Sequence, residues 1–104
     1  MARTPADKIE TMAELRTCID AVDAELMDLL AERWSYTERA GELKAREGLA
    51  AAAPGRVAAV LENVKSAAGQ RGVDGDMVAA MWQIMIDRII AREEQVIGKE
   101  GRDG

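Results

Sequence analysis

The first half of the chain carries one stripe of apolar positions with helical spacing. The stripe begins at Leu15 and continues through Ile19, Val22, Leu26, Leu29 and Leu30. Residues three and four apart lie on one face of an α-helix, whereas a half-buried β-strand requires strict alternation. The pattern therefore predicts a long amphipathic helix.

Local signals predict where this first helix begins and ends. It begins either near Thr4-Pro5, with proline in the first turn, or at the capping box that Thr11 and Glu14 form. The pattern runs to about Glu47, and Gly48 is expected to end the helix.

The length of this helix predicts that the chain associates with a second copy of itself. A helix of more than thirty residues is about 50 Å long, and the two helices that follow are too short to cover it. A break near Gly41 is the alternative, because glycine inside a helix costs about 1 kcal/mol. The stripe continues in phase through Ala40 and Lys44, which favours one helix. Its uncovered part is predicted to pack against a second copy, as a symmetric homodimer.

Two further helices account for most of the remaining sequence. Pro54 begins a second helix whose apolar stripe is Val57, Val60, Leu61, Val64 and Ala68, and Gly69 and Gly72 close it. Asp74 is a predicted N-cap for the third helix. The broad apolar face of that helix comprises Val78, Met81, Trp82, Met85, Ile86, Ile89, Val96 and Ile97. We therefore predict an all-α fold with three helices in a single domain, 1–104, with its core at about 12–97 and a disordered tail at 98–104.

Composition and charge argue against several classes of function. The 104 residues include no histidine, so the usual general base and the commonest metal ligand are missing, and no metal or cofactor is predicted. The net charge of -5 argues against binding to nucleic acid or to an anionic membrane. The chain has neither an apolar run long enough to span a bilayer nor a typical leader, which predicts a soluble, cytoplasmic protein.

Two cations interrupt the apolar stripe of the first helix. Arg33 and Lys44 fall on its centre line, while the other charges of the segment fall away from it. A buried cation without a partner costs several kcal/mol, so each needs an anion. Glu93 falls within the apolar face of the third helix, and Arg56 stands near the start of the second, where unpaired N–H groups also attract anions.

Each of these residues also has a simpler interpretation. Arg16 and Arg56 taken singly are typical surface residues, and Glu93 could merely neutralise Lys44. Arg16 lies about 25 Å from Arg33 along the helix axis, so both could hold one small ligand only across an antiparallel dimer. Cations that converge in an apolar helical cavity nevertheless predict a pocket for a small polyanion.

These residues resemble those of the AroQ-type, all-helical chorismate mutases. The matching run is Leu15-Arg16-x-x-Ile19-Asp20-x-x-Asp23-x-x-Leu26-x-x-Leu29-Leu30-Ala31-Glu32-Arg33, then Lys44, then Arg56, then Trp82-Gln83-Ile84 leading to Glu93. The resemblance covers about residues 12–95. It implies an intertwined homodimer of three-helix protomers with two equivalent active sites.

The resemblance also implies an activity and roles for the candidate residues. The reaction is the isomerisation of chorismate to prephenate, a step of aromatic amino acid biosynthesis that needs no cofactor. Arg16 from the partner and Arg33 would bind the substrate carboxylates, and Arg56 would close over the site. Lys44 would donate to the ether oxygen and to a carboxylate. Glu93 takes the place often held by a glutamine that donates to the ether oxygen; because only a protonated carboxyl can donate, activity is expected to favour acidic pH.

Departures from the family pattern leave other functions open. Ala53 and Val57 stand where many mutases carry acids that order the substrate hydroxyl region, and the segment 53–59 resembles isochorismate pyruvate lyases, which form salicylate and pyruvate. Glu93 and the acid-rich first helix favour the mutase over the lyase. A non-catalytic helical dimer is the third possibility, and it would tolerate Lys44→Ala.

Overall fold

The computed structural model describes residues 3–98, 100 and 101, and its regular elements are helical. A short 3-10 helix, Ala6–Lys8, precedes three α-helices, which are α1 (Met12–Glu47), α2 (Pro54–Gln70) and α3 (Gly75–Ile97). The predicted all-α fold with a long first helix is thereby confirmed. Of the tail predicted to be disordered, 99 and 102–104 lie outside the described residues. The extent of the domain stays a prediction.

The start of α1 follows the second of the two predicted signals. The backbone N–H of Glu14 donates to Oγ1 of Thr11 at 3.2 Å, and the N–H of Leu15 donates to the Thr11 carbonyl at 3.1 Å. These bonds use N–H groups that the first turn of a helix otherwise leaves without partners. Thr4-Pro5 precedes only the short 3-10 helix, so the earlier start is wrong.

The end of α1 is set by Gly48. This residue has a φ of 69°, in the left-handed region that glycine enters without steric cost. The N–H of Leu49 then donates back to the Lys44 carbonyl at 2.8 Å, which is the bond pattern of a Schellman motif. The predicted stop is confirmed, and the chain turns away from α1 just after Lys44. Helix α1 is continuous through Gly41, so the predicted alternative of a break there is wrong.

The chain forms two compact units, Met1–Tyr36 and Thr37–Gly104. In the first unit, an ion pair of 2.7 Å joins Arg3 to Glu25, and the apolar stripe of α1 is exposed from Ile19 to Leu30. Leu26 and Leu29 retain 52% and 61% of their accessible surface. No residue of α1 is buried within the described chain. These positions leave apolar surface for another element to cover.

In the second unit, α2 packs against α3. Ala68 of α2 and Ile86 of α3 are buried, as their apolar stripes predict. Val96 was predicted in the same face but is 84% exposed. Helix α2 has 17 residues and α3 has 23, so α2 cannot flank α3 over its whole length, and Val96 lies in the last turn of α3. No helix among the described residues has the length and apolar character needed to cross a bilayer.

The connection between α2 and α3 is held by an N-cap and an ion pair. Oδ1 of Asp74 accepts from the N–H groups of Asp76 and Met77 at 3.0 and 3.1 Å, so the predicted N-cap is confirmed. Nζ of Lys65 lies 3.1 Å from Oδ1 of Asp76. The hydrogen bond to this carboxylate raises the pKa of Lys65 above its ordinary value.

We predict that Asp74→Ala lowers the free energy of unfolding by about 1 kcal/mol, because two N–H groups at the start of α3 lose their acceptor. Urea denaturation followed by circular dichroism measures the loss. Asp74→Asn, which keeps an acceptor oxygen, should recover most of it. Asp76→Ala is the neighbouring control and should cost less, since it removes only a solvent-exposed ion pair. Equal losses in Asp74→Ala and Asp76→Ala would contradict the capping role.

Candidate active site

The predicted cation of α1 and the predicted anion of α3 are in contact. Nζ of Lys44 lies 3.2 Å from Oε1 of Glu93 and donates a second hydrogen bond, of 2.9 Å, to the carbonyl of Ala51. The side chains are 23% and 9% exposed, so water screens the pair only weakly. Lys44 thus has the buried anion that its position in the stripe requires.

The segment between α1 and α2 supplies the second acceptor for Lys44. After Gly48 turns the chain, Ala50, Ala51 and Ala53 are buried. Their small side chains let the backbone come close to its neighbours, so the Ala51 carbonyl can reach the ammonium group. Lys44 therefore connects three parts of the second unit, namely α1, this segment and α3.

Glu93 leaves one of its carboxyl oxygens unused. Oε1 accepts from Lys44, but Oε2 is buried and has no hydrogen-bond partner among the described residues. Buried carboxyl oxygens are nearly always paired, because an unpaired one has lost its hydration without compensation. The ammonium of Lys44 has three N–H donors, two of which are used. The contact thus retains one donor and one oxygen for a ligand.

The chemistry of this contact depends on the protonation of Glu93. An ionised carboxylate only accepts hydrogen bonds, whereas a protonated carboxyl also donates one. With a proton on Oε2, the site would offer two adjacent donors and a net positive charge to an anionic ligand. Within the described part of the chain, no group of three or more His, Cys, Asp or Glu side chains is placed to hold a metal ion.

Arg56 stands in the first turn of α2, three residues after the N-cap Ala53. It is exposed, and among the described residues its guanidinium has neither an ion pair nor a hydrogen bond. The Ala53 side chain accepts no capping bond, so the N–H groups of this helix end have no side-chain acceptor. A free guanidinium beside such a helix end favours an anionic ligand.

Arg16 and Arg33 both belong to the first unit. Arg16 is exposed in the second turn of α1, and Arg33 is half-buried. Neither side chain has a partner within the residues that the structure describes. Of the five predicted site residues, the structure brings Lys44 and Glu93 into contact; the binding roles of Arg16, Arg33 and Arg56 stay predictions.

Two residues of the site were missed by the sequence analysis. The Ala51 carbonyl was missed because a backbone acceptor leaves no signal in an alanine-rich segment. Gly41, which packs directly against the Glu93 carboxyl, was judged only as a possible helix breaker. The position of Gly41, three residues before Lys44 and on the same face of α1, could have indicated that it belongs to the site.

Comparison with known proteins agrees with this arrangement. Residues 15–94 match the family model described as chorismate mutase type II. The chain is 28% identical over 89 residues to a chorismate mutase of Methanocaldococcus jannaschii, covering 86% of this chain and 90% of that protein. It is 33% identical over 91 residues to the isochorismate pyruvate lyase of Pseudomonas aeruginosa, covering 88% of each.

A longer relative contains a similar segment. The T-protein of Haemophilus influenzae is 30% identical over 87 residues, which cover 84% of this chain but only 23% of that protein. The main elements of the described fold are the helices α1, α2 and α3. This agrees with the resemblance to the all-helical chorismate mutases. The chain therefore belongs to the chorismate mutase type II family.

Proposed function

We propose that this protein is a chorismate mutase that converts chorismate to prephenate in aromatic amino acid biosynthesis. The observation that carries the proposal is the fixed Lys44 ammonium, which retains one N–H donor beside an unpaired carboxyl oxygen of Glu93. Family membership supports the same reaction. A buried donor held by two acceptors suits a reaction that needs stabilisation of charge rather than a nucleophile.

The rearrangement makes two demands on the protein. It is unimolecular, and it forms one carbon–carbon bond while one carbon–oxygen bond breaks, with no covalent enzyme intermediate. The protein must hold an extended dianion in a compact conformer and stabilise the negative charge that develops on the breaking ether oxygen. Hydrogen-bond donors that are fixed before the reaction supply this stabilisation without reorganising during it.

Lys44 is the donor that we assign to the ether oxygen. Its contacts with Ala51 and Glu93 restrict its flexible side chain, so little rotational freedom remains to be lost when substrate binds. The remaining N–H is the donor available to the ether oxygen. The low exposure of the side chain strengthens this interaction relative to water.

Glu93 is the second group that we assign to the ether oxygen. In its ionised form it would repel the developing negative charge, and in its protonated form it would donate a hydrogen bond to it. The unpaired Oε2 is the oxygen on which that proton would sit, since Oε1 faces Lys44. Activity is therefore expected to fall as the pH rises.

The arginines are assigned to the substrate carboxylates. Arg33 and Arg16 of a second copy would bind the substrate carboxylates, and Arg56 would close over the site. The exposed stripe of α1 supports a homodimer, because Leu26 and Leu29 would be covered by association. Guanidinium groups suit this task because they bind carboxylates in a bidentate manner.

A second candidate function is cleavage of isochorismate to salicylate and pyruvate. It is supported by the 33% identity to the Pseudomonas aeruginosa isochorismate pyruvate lyase. The apolar residues Ala53 and Val57, buried and half-buried, also give no polar group to a substrate hydroxyl at this end of α2. Two relatives of 27% and 28% identity are 4-amino-4-deoxychorismate mutases, so that compound is a further substrate to test.

We predict that purified protein, offered chorismate, isochorismate and 4-amino-4-deoxychorismate in parallel, uses chorismate with the highest kcat/KM and converts it to prephenate, measured by chromatography at acidic and neutral pH. Lys44→Ala should lower kcat/KM about 100-fold or more, because it removes a donor to the breaking bond. Salicylate and pyruvate formed from isochorismate at higher kcat/KM would instead identify the lyase.

Two variants control this experiment. Lys65→Ala removes a solvent-exposed lysine of α2 and should leave turnover unchanged. Lys44→Arg keeps a positive charge against Glu93, so it should fold even if Lys44→Ala does not, yet its wider guanidinium should still reduce turnover at least tenfold. Absence of turnover with all three substrates would favour a non-catalytic dimer.

We predict that Glu93→Gln extends the mutase activity to higher pH, because an amide donates a hydrogen bond at every pH whereas the carboxyl donates only when protonated. Profiles of kcat/KM from about pH 5 to pH 9 measure this change. Glu94→Gln makes the same change in charge one residue away and should keep the wild-type profile. A wild-type profile that is flat through neutrality, or loss of activity in Glu93→Gln at every pH, would rule out the donor role.

We predict that two inactive variants complement each other when they share a dimer. If Arg16 acts in the partner's site, a heterodimer of Arg16→Ala and Lys44→Ala chains has one intact site and one doubly altered site. Co-refolding equal amounts should then restore about a quarter of the wild-type activity, since half of the dimers are mixed. If Arg16 acts in its own chain, no site is intact and the mixture stays inactive. Sedimentation or light scattering verifies the dimer.

A further inference from the structure

Gly41 lies inside α1 where its backbone conformation does not require glycine. The described glycines with positive φ are Gly48, Gly72, Gly98 and Gly101, and Gly41 is not among them. Glycine in the middle of a helix lowers stability relative to alanine, because it loses more backbone freedom on folding. The reason for glycine at this position must therefore lie in what a side chain would meet.

A side chain at position 41 would meet the carboxyl group of Glu93. A Cβ atom built on Gly41 would lie 3.3 Å from Oε2, 3.5 Å from Cγ and 3.8 Å from Cδ of Glu93. The closest approach is tighter than ordinary van der Waals contact, so either the carboxyl or the helix would have to move. All the atoms involved belong to the second unit of the chain.

The oxygen that the added methyl group would crowd is the unpaired one. Oε1 of Glu93 is held by Lys44 at 3.2 Å, whereas Oε2 is buried without a partner among the described residues. A buried polar atom without a partner is costly, and one at a binding site commonly acquires its partner with the ligand. A methyl group on residue 41 would occupy space beside this oxygen, so the carboxyl that Lys44 holds would have to shift by a few tenths of an ångström.

We propose that Gly41 is a positioning residue for the mutase reaction: the absence of its side chain lets the Glu93 carboxyl stay against Lys44 and leaves space beside Oε2, the oxygen that we assign to the reacting substrate. This inference rests on the proposed function, because it takes the substrate to be the missing partner of Oε2. It also assigns different tasks to the two oxygens, with Oε1 fixed by the protein and Oε2 facing the substrate.

The test compares Gly41→Ala with Gly69→Ala. Gly69 lies in α2, has no positive φ, and a Cβ there meets no atom within 4 Å. Both variants replace a helical glycine, but only Gly41→Ala crowds Glu93. We expect Gly69→Ala to raise Tm with kcat and KM unchanged. Gly41→Ala should lower kcat about tenfold or more with KM within about twofold, because it misplaces a group that acts in the transition state.

A second comparison tests the contact without relying on activity. When Glu93→Ala removes the carboxyl, Gly41→Ala should raise Tm as much as Gly69→Ala does, since nothing remains for its methyl group to crowd. With Glu93 present, the gain in Tm from Gly41→Ala should be smaller. Gly69→Ala should give the same gain in both backgrounds.

The outcomes separate this inference from the proposed function. Wild-type turnover together with a Gly41→Ala variant that matches Gly69→Ala in kcat would overturn the role of Gly41 and leave the mutase proposal standing. Equal Tm gains from Gly41→Ala with and without Glu93 would likewise overturn it. If the wild-type protein turned over none of the three substrates, the mutase proposal would fail, and the role of Gly41 in it would fail for that reason.

Discussion

The contact between Lys44 and Glu93 is the constraint on which the second unit of this protein depends. Each charge is largely removed from water, and either one alone would cost about 3–5 kcal/mol. The pair joins residues 49 positions apart, and Lys44 also binds the carbonyl of Ala51. One side chain thus connects the end of α1, the segment before α2 and the C-terminal part of α3. The geometry of the candidate site is consequently set by the same bonds that hold these elements together.

This arrangement is not optimised for stability. The unpaired Oε2 of Glu93 costs about 1–3 kcal/mol in lost hydration, and a glycine in the interior of α1 costs about 1 kcal/mol more. Alanine at position 41 would avoid the second cost, whereas an apolar residue at position 93 would avoid the first only by leaving Lys44 without its anion. Local departures from the most stable choice are typical of functional sites, where groups are kept ready for a ligand. That these two departures touch each other is the strongest structural sign that the site binds something.

The sequence predicted those features whose signals are local. Thr11, Gly48 and Asp74 mark helix ends through their own backbone or side-chain chemistry. Gly48 and Asp74 were placed correctly, and Thr11 was the correct one of two predicted starts. The charge of Lys44 within an apolar stripe also predicted a buried anion, because burial makes an unpaired charge untenable. The Ala51 carbonyl and the space beside Gly41 could not be predicted in this way. The role of a backbone acceptor or of an absent side chain can be recognised only when the contacts between α1 and α3 are known.

The first unit of the chain raises a different question, which is how α1 remains a helix. Packing of an apolar face, more than intrinsic propensity, stabilises helices in proteins, yet the protomer buries no residue of α1 within its described part. Leu26 and Leu29 remain more than half exposed, and the same helix carries Arg16, Arg33 and Lys44. If a second copy covers this stripe, as we propose, association stabilises the helix on which three of the assigned substrate contacts stand. Assembly would then also support substrate binding, because the substrate contacts require α1 to be helical and the apolar surface buried on assembly stabilises that helix.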